Sequence, residues 1–191
     1  MSQAQHQKES LLKITAISDF SKKLNLQQEI NDINARYAQA LDQQELEAWP
    51  DFFIEQGRYQ IQARENEERK LPLSLMDLES QGMMKDRVYG VTQTIFHAPY
   101  YMRHIIGQAL VLGSTTPDAL TQSIDMPTDQ ELWVSHTHYA VFRTKPGSVS
   151  EVFNVGQYKD LWLSTDEGLK LAWRRCVYDS ELILNSLIYP I

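Results

Sequence analysis

Cysteine and glycine are scarce in this sequence of 191 residues. The single cysteine, Cys176, cannot form a disulfide within the chain, and it cannot supply the cysteine sets that hold structural zinc or an iron–sulfur cluster. Because it lies in a strand-like apolar stretch, we expect it to be buried rather than to act as a nucleophile. The eight glycines are scattered singly, so the sequence has no glycine-rich loop of the kind that cradles phosphate groups.

Long apolar runs and an excess of positive charge are also missing. No stretch approaches the roughly 20 apolar residues of a membrane-spanning helix, and residues 1–20 lack the uninterrupted apolar core of a signal peptide. The chain carries 18 Lys and Arg against 25 Asp and Glu, a formal net charge of −7, whereas nucleic-acid-binding domains usually have a basic face. We therefore expect a cytoplasmic protein that binds neither nucleic acid nor a membrane.

The first half of the sequence contains helical periodicity. Apolar residues recur at spacings of three and four over residues 26–42, which predicts a helix, with Asn25 as its N-cap. Residues 45–53 favour a second, shorter helix, and residues 73–87 favour a third. The charged residues 65–70 are expected to form a solvated loop.

From residue 100 onward the period changes to two, which is typical of strands. The residues Thr-Asp-Glu-Gly at 165–168 have the composition of a hairpin turn. Helices followed by antiparallel strands favour an α+β fold, with the helices packed on one face of a bent sheet. The predicted long strands cover residues 104–112, 131–145, 149–164 and 169–178.

One domain accounts for most of the chain. We expect it to cover residues 26–191, because the sequence shows no internal repeat and no low-complexity segment. Residues 1–25 are expected to be an N-terminal arm, with a short amphipathic helix at residues 10–23.

Two histidines, His136 and His138, lie two residues apart on a predicted strand and so point to the same face. With a carboxylate such as Glu131 or Glu151 they could form a metal site of two histidines and one carboxylate. The plainer interpretation, which we favour, is that this face of the sheet lines a polar interface or cavity, since the pair alone is a weak motif.

Acidic and basic side chains near the third predicted helix offer two interpretations. Asp86 beside Arg87 could be a general base in a pocket or half of an ion pair that orients a loop, and we favour the ion pair.

Residues 97–104 are dense in His, Tyr and Arg. They could bind a ring substrate, or they could form a partner-binding edge, because interfaces are enriched in Tyr, Trp, Met and Arg.

Several short segments, taken in order, resemble one protein family. They read Arg-Glu-Asn-Glu-Glu-Arg at 64–69, Gly-Met-Met-Lys-Asp-Arg-Val at 82–88, Tyr-Tyr-Met-Arg-His at 100–104 and Gly-x-Tyr-x-Asp at 156–160. With them, the sequence from about Leu26 onward resembles the small (β) subunit of Rieske-type aromatic-ring-hydroxylating dioxygenases. It is most similar to members that act on aromatic carboxylates, of the anthranilate, salicylate and benzoate type.

The resemblance implies the cone-shaped α+β fold of nuclear-transport-factor-2-like domains, with N-terminal helices packed on a strongly curved antiparallel sheet. It implies a partner, the large (α) subunit, which would carry the Rieske iron–sulfur cluster and the mononuclear iron. The small subunit would hold no metal and no cofactor, and it would contribute no catalytic residue. It would be a structural subunit in the degradation of aromatic compounds, forming a homotrimer within a hetero-hexamer.

The resemblance also indicates, by position, which residues contact the partner. Contacts between small subunits are expected from the sheet face that carries Trp133, Tyr139 and Trp162. The contact with the α subunit is expected to involve Arg87, His97, Tyr101, Arg103 and His104.

The same cone fold hosts free-standing enzymes such as scytalone dehydratase and ketosteroid isomerase, so fold alone does not decide function. The alternative is therefore a small-molecule dehydratase or isomerase that uses Asp86, Tyr101 and His104, with His136 as a further member. A ligand-binding module without chemistry is a third possibility. Burial distinguishes them, because catalysis requires these groups to converge in one pocket.

Overall fold

The computed structural model describes residues 13–94, 96, 98–117, 130–180 and 187–191. Within these ranges the first element is a long helix and the last three elements are long strands. No helix in this part of the chain is both long and apolar enough to cross a membrane. The elements are α1 (Phe20–Asp42), a 3-10 helix (Leu46–Phe52), β1 (Phe53–Ala63), α2 (Arg64–Glu68), β2 (Met76–Leu78), α3 (Gln81–Gln93), β3 (Tyr101–Ile106), β4 (Leu110–Thr115), β5 (Leu132–Thr144), β6 (Glu151–Thr165) and β7 (Gly168–Tyr178).

Helix α1 begins earlier than its apolar pattern predicts. The side chain of Asp19 accepts hydrogen bonds from the backbone N–H groups of Ser21 and Lys22, at 2.9 and 3.2 Å, and so caps the helix. The prediction that Asn25 is the N-cap is wrong, because Asn25 lies inside the helix, which runs unbroken across residues 25 and 26. The predicted apolar stripe is confirmed, and its buried members are Leu26, Ile30, Ile33, Tyr37 and Leu41.

The described segment before α1 is extended. Thr15 and Ser114 exchange two backbone hydrogen bonds, at 2.7 and 2.9 Å, which attach this segment to β4. Glycine is required at position 113, because φ there is 156° and a Cβ would lie 2.2 Å from the carbonyl oxygen of Thr15. The predicted short helix at residues 10–23 is therefore wrong for residues 13–19. Residues 10–12 lie outside the described part.

The strands form one seven-stranded sheet in the order β2-β1-β7-β6-β5-β3, and β4 also pairs with β5. All described pairs are antiparallel except β1 with β7, which are parallel. Register shifts at Val141/Phe142 and at Leu161/Trp162 interrupt the long strands, and such shifts bend and twist a sheet. The predicted hairpin turn is confirmed between β6 and β7. The predicted fold class, helices on a curved and mainly antiparallel sheet, is confirmed as well.

The charged stretch at residues 65–70 is mostly a helical turn, α2, and not a loop. Its position has an electrostatic cause. The carboxylate of Glu67 lies 2.6 and 2.7 Å from the ammonium of Lys159 on β6 and 3.8 Å from the guanidinium of Arg175 on β7. These ion pairs hold α2 against the sheet face that points away from α1.

Two other predicted elements are each divided in the structure. Residues 73–87 contain strand β2, which pairs with β1, and α3 begins only after Ser80, whose hydroxyl accepts the N–H of Met83 at 3.2 Å. Residues 104–112 contain parts of β3 and β4. The chain leaves the strand at Gly107, where its N–H donates to a carbonyl of β5 at 2.8 Å. Apolar periodicity alone does not detect such breaks, because both halves keep apolar residues on the buried side.

The hydrophobic core lies between the helices and the inner face of the sheet. Trp133, Tyr139 and Trp162 belong to this inner face and are 8%, 2% and 0% exposed. The indole N–H of Trp162 donates to the hydroxyl of Ser135 at 2.8 Å. The expectation that these three aromatic residues contact a second copy is wrong, because their side chains are buried within this chain.

A fully buried ion pair crosses the same core. The guanidinium of Arg174 on β7 donates two hydrogen bonds to the carboxylate of Asp160 on β6, at 3.0 and 2.8 Å, and a third to the side-chain oxygen of Asn34 on α1, at 2.6 Å. The rings of Tyr37 and Tyr158 lie 4.3 and 4.2 Å from it. Burial would lower the pKa of Arg174, but Asp160 raises it well above its ordinary value, so the guanidinium stays charged.

Removing one member of this pair should destabilise the fold more than removing both. Asp160→Leu leaves a buried guanidinium without its counter-ion, and we expect a loss of about 3–5 kcal/mol in the free energy of unfolding. The double variant Asp160→Leu/Arg174→Met leaves no buried charge and should lose less. Urea denaturation followed by circular dichroism measures both. A double variant as unstable as the single one would contradict this account.

Candidate functional site

The interior of the cone is filled by the chain itself. Ile191 is fully buried, and its backbone oxygen accepts hydrogen bonds from the hydroxyls of Tyr37 and Tyr59, both at 3.0 Å. The backbone N–H of Ile191 donates to the Tyr59 hydroxyl at 2.9 Å. The thiol of Cys176 also points to the backbone oxygen of Ile191, at 3.5 Å, and is buried as the sequence predicts. Helix α1, β1 and β7 thus meet around Ile191.

Arg87 on α3 holds the segment that leads to Ile191. Its guanidinium donates to the carbonyl oxygens of Leu187 and Ile188, at 3.3 and 2.8 Å. The ring of Tyr189 packs edge-on against Tyr100, with 5.1 Å between the ring centroids. Arg87, which the resemblance assigned to the α-subunit contact, is thus used within the chain in this structure.

The residues predicted for an enzymatic site do not converge. Along β3, burial alternates strictly between exposed and buried positions up to Ile105, so Tyr101 and His104 lie on opposite faces of the sheet. Tyr101 is 66% exposed on the outer face, and His104 is buried on the inner face. Asp86 is exposed on α3. This set therefore forms no common pocket.

His104 is held by the end of α1. Its backbone N–H donates to both carboxylate oxygens of Asp42, at 3.1 and 3.0 Å, and its ring Nδ1 lies 2.7 Å from the same carboxylate. Both side chains are almost fully buried. Because β3 is the last strand in the sheet order, Asp42 occupies a backbone donor that would otherwise be open at the sheet edge. The side-chain oxygen of Asn31 does the same directly before β4, where it accepts the N–H of Ala109 at 2.8 Å.

Arg103 is the other basic residue predicted for the subunit contact. Its side chain is 74% exposed, and its guanidinium lies 3.6 Å from Asp42. It borders a groove of about 480 Å³ between α1 and the β3–β4 connection. His97, the remaining residue predicted for this contact, lies outside the described residues.

His136 and His138 lie on the outer face of β5, as their spacing predicts. Burial lowers the pKa of His136, and the nearby charges of Lys159 and Arg175 lower it further, so the ring is neutral near pH 7. Glu151 is hydrogen-bonded to Arg143, at 2.6 and 2.9 Å. Across the described ranges, no three His, Cys, Asp or Glu side chains are grouped so that they could hold a metal ion.

The outer face, which points away from the helices, carries an exposed apolar surface on its β3 side. Ile105 pairs with Ala140, which pairs in turn with Val155, so the three side chains form a row across β3, β5 and β6. Phe142 and Val152 form the adjoining row. Ile105, Val152 and Val155 are 57%, 53% and 38% exposed. We call these five residues the outer apolar patch, and contiguous apolar surface of this kind marks interaction sites.

The other half of the outer face carries charged residues and a second apolar cluster, whose members Leu132, Val134, Leu161 and Ala172 are at most 4% exposed. The guanidinium of Arg58 lies 2.6–2.7 Å from both carboxylate oxygens of Asp77, and α2 covers the neighbouring strands through Glu67. Trp173 lies between two guanidiniums, 5.4 Å from that of Arg58 and 4.8 Å from that of Arg175. The charges named here are paired within the chain, whereas Ile105, Val152 and Val155 of the outer apolar patch are exposed.

The outer apolar patch does not stand out in the sequence. The alternation on β5 separates Ala140 and Phe142 from Tyr139 and Val141, so the sequence distinguishes two faces. It does not tell which of the two faces the helices cover, because both faces of this strand carry apolar residues.

These features define a cone-shaped fold with a filled interior and an exposed outer patch, and the comparisons with known proteins identify its class. Residues 36–185 match the family described as "Ring hydroxylating beta subunit". Because the match covers most of the chain, the chain belongs to this family. The resemblance found in the sequence segments is confirmed.

Individual relatives agree with this assignment. The chain is 27% identical to the small subunit of anthranilate 1,2-dioxygenase from Burkholderia cepacia, over 85% of this chain and 92% of that one. It is 26% identical to a beta subunit of the terminal oxygenase component of terephthalate 1,2-dioxygenase from a Comamonas species, over 85% and 97% of the two chains.

Solved structures give the same answer. A structure assigned as the beta subunit of an aromatic-ring-hydroxylating dioxygenase from Novosphingobium aromaticivorans superposes with a TM-score of 0.73 and 31% identity, covering 88% of this chain and 98% of that one. A structure assigned as a scytalone dehydratase from the same organism shares the fold, with a TM-score of 0.60 and 13% identity over 90% and 95% of the chains. The dehydratase likeness concerns the fold alone.

The contact between Asp42 and His104 should contribute measurably to stability. Asp42→Ala leaves the buried N–H and ring of His104 without their acceptor, and we expect a loss of about 1–3 kcal/mol in the free energy of unfolding. Asp32→Ala is the matched control, because Asp32 on the same helix is 70% exposed and, among the described residues, pairs with Arg36 one turn away. The control should change stability by less than about 0.5 kcal/mol. Equal losses for the two variants in urea denaturation would show that Asp42 has no special role.

Proposed function

We propose that this chain is the structural small subunit of an aromatic-ring-hydroxylating oxygenase and that it performs no chemistry itself. The observation that carries this proposal is the filled interior. Ile191 occupies the space between helices and sheet where an enzyme of this fold class would need a pocket, and it binds the two tyrosine hydroxyls there. The family assignment and the exposed outer apolar patch point the same way, to assembly with other chains.

The partner in this proposal is the large (α) subunit, which would hold the Rieske cluster and the mononuclear iron. This chain contains one cysteine, whereas a Rieske cluster needs two cysteines and two histidines. The redox chemistry of the oxygenase therefore belongs to the partner. We further propose that the assembly is cytoplasmic and contains three copies of each subunit.

The surface proposed to meet the α subunit is centred on Tyr101 and Arg103. Both are exposed on the outer face of β3, and Arg103 pairs across to Phe142 of the outer apolar patch. An exposed aromatic and an exposed arginine beside apolar surface are the residue types that contribute most binding energy at interfaces. His104 lies on the opposite face of β3 and binds Asp42, whose carboxylate also lies 3.6 Å from the guanidinium of Arg103.

The substrate class follows from the relatives. The names of two relatives refer to anthranilate and terephthalate, which are both aromatic carboxylates. We therefore propose an aromatic carboxylate as the substrate of the complete oxygenase. It would bind in the α subunit, because the interior of this chain is occupied.

Co-expression with the neighbouring reading frames tests the central proposal. A tag on this chain should retain a larger polypeptide whose eluate shows iron, acid-labile sulfide and the absorption spectrum of a Rieske cluster. Recovery of this chain alone, as a stable metal-free oligomer, would contradict the assignment as a structural subunit.

Substitutions at the proposed contact should weaken assembly without unfolding the chain. Arg103→Ala and Ile105→Asp should each reduce the affinity for the α subunit about tenfold or more, since interface hot spots cost above about 1.4 kcal/mol when changed. Arg36→Ala is the control, because Arg36 is similarly exposed, at 61% against 74% for Arg103, but lies on α1. Gel filtration of the complex measures the outcome. Full retention of the complex by both test variants would place the α-subunit contact elsewhere.

A further inference from the structure

A pocket of about 330 Å³ lies on the half of the outer face that is away from the outer apolar patch. Its floor is formed by β1 and β7, where Arg58 is in register with Trp173 and Gln60 with Arg175. Helix α2 and residues 70–72 form its walls. We call it the α2 pocket, and its volume is in the range of pockets that bind small molecules.

The walls of the α2 pocket are held in place by the chain's own hydrogen bonds. The side chain of Gln62 donates to the backbone oxygen of Leu71 at 2.8 Å, and that of Gln60 donates to the hydroxyl of Ser74 at 2.8 Å. Both bonds join the segment after α2 to β1. Because these walls are already fixed, little ordering has to accompany the binding of a ligand.

Positive charge is concentrated at the end of the pocket next to α2. There the carboxylate of Glu67 lies 2.6 Å from the ammonium of Lys159 and 3.8 Å from the guanidinium of Arg175. Lys70 adds a third cation to this end, and no ion pair among the described residues includes its ammonium. One carboxylate thus faces three cations, which leaves this end with an excess of positive charge.

His136 lies in register with Lys159 and responds to this charge. Burial is the main cause that lowers the pKa of His136. Lys159 and Arg175 lower the pKa further, and their combined effect outweighs the opposite effect of Glu67. The electrostatic potential on this part of the face is therefore positive even with Glu67 in place.

The end of the pocket next to β2 has the opposite balance. There the guanidinium of Arg58 lies 2.6 Å from the carboxylate of Asp77 and 3.6 Å from that of Glu79. Two carboxylates against one cation repel further negative charge. An anion that fits the α2 pocket therefore carries a single charge, placed at the α2 end.

Two hydrogen-bond donors of the lining have no partner within the described part of the chain. The indole N–H of Trp173 is buried and has no acceptor there, which costs free energy until an acceptor binds. The ammonium of Lys70 is held by a backbone with φ of 55°, a conformation that residues other than glycine seldom adopt. Strained backbone of this kind occurs most often at sites that bind ligands.

From these observations we infer that the α2 pocket binds a small monocarboxylate with an apolar body. The carboxylate binds the ammonium of Lys70 and accepts the indole N–H of Trp173. The apolar body lies against Leu71 and Pro72, which line the same pocket. The site is built from this chain alone, so the inference does not rest on the proposed role in an oxygenase.

Calorimetric titration of the full chain with four probes tests the inference. Benzoate has the carboxylate and an apolar ring, benzamide lacks the charge, acetate lacks the ring, and inorganic phosphate lacks the ring and carries more charge. Benzoate should bind about tenfold more tightly than each of the others, because it alone matches both the cations and the apolar wall. Binding of any other probe as tightly as benzoate would overturn the inference, and so would no detectable binding of benzoate at about 10 mM.

A matched pair of variants locates the binding. Lys70→Gln removes the charge and should weaken the binding of benzoate about tenfold, while the affinity for benzamide changes by less than about twofold. Lys145→Gln is the control, because Lys145 is also exposed but follows β5 and does not line the pocket. Circular dichroism verifies that both variants are folded. Equal losses of benzoate affinity would mean a general attraction to surface lysines and would overturn the inference.

A further measurement needs no variant. Raising the chloride concentration from about 20 mM to about 500 mM screens charges on the surface. It should weaken the binding of benzoate at least about threefold and leave the binding of benzamide unchanged, since only benzoate is held by charge. Benzoate affinity that does not depend on salt would contradict the assigned carboxylate contact.

Discussion

The guanidinium of Arg174 joins the helical layer to the sheet through polar contacts inside the core. It binds Asp160 on the neighbouring strand and Asn34 on α1, and it lies between the rings of Tyr37 and Tyr158. A buried charge is tolerated only where its partners are fixed, so this group requires one particular placement of α1 over β6 and β7. An apolar core alone would tolerate a shift of the helix along the sheet. The position of Tyr37, and through it the placement of Ile191, depends on this arrangement.

Several features of the fold were predictable because they follow from periodicity and local chemistry. The stripe on α1, the long alternating strands and the turn before Gly168 all depend on neighbouring residues. The helical turn at α2 was not predictable, because Glu67 is placed by a lysine more than ninety positions later in the chain. The start of α1 was also missed, since Asp19 and Asn25 are both good capping residues and the sequence does not decide between them.

The candidate site shows the same division. The segment that carries Tyr101 and Arg103 could be predicted from the sequence, since its composition is unusual. The prediction that His104 belongs to the same surface was wrong, because alternation along a strand sends adjacent residues to opposite faces. Whether a face is covered depends on where α1 and residues 187–191 pack, and both are long-range outcomes. The outer apolar patch and the filled interior could therefore be recognised only in three dimensions.

The carboxylate of Asp42 occupies a backbone donor on the last strand of the sheet, and the arm at Thr15 pairs with β4 beside it. Open strand edges allow chains to add to one another without limit, as in fibrils. With these positions already bonded, association through the sheet faces is favoured over association through strand edges. Contacts between faces of defined shape can close a ring after a small number of copies, and they limit the size of the assembly that such a chain builds.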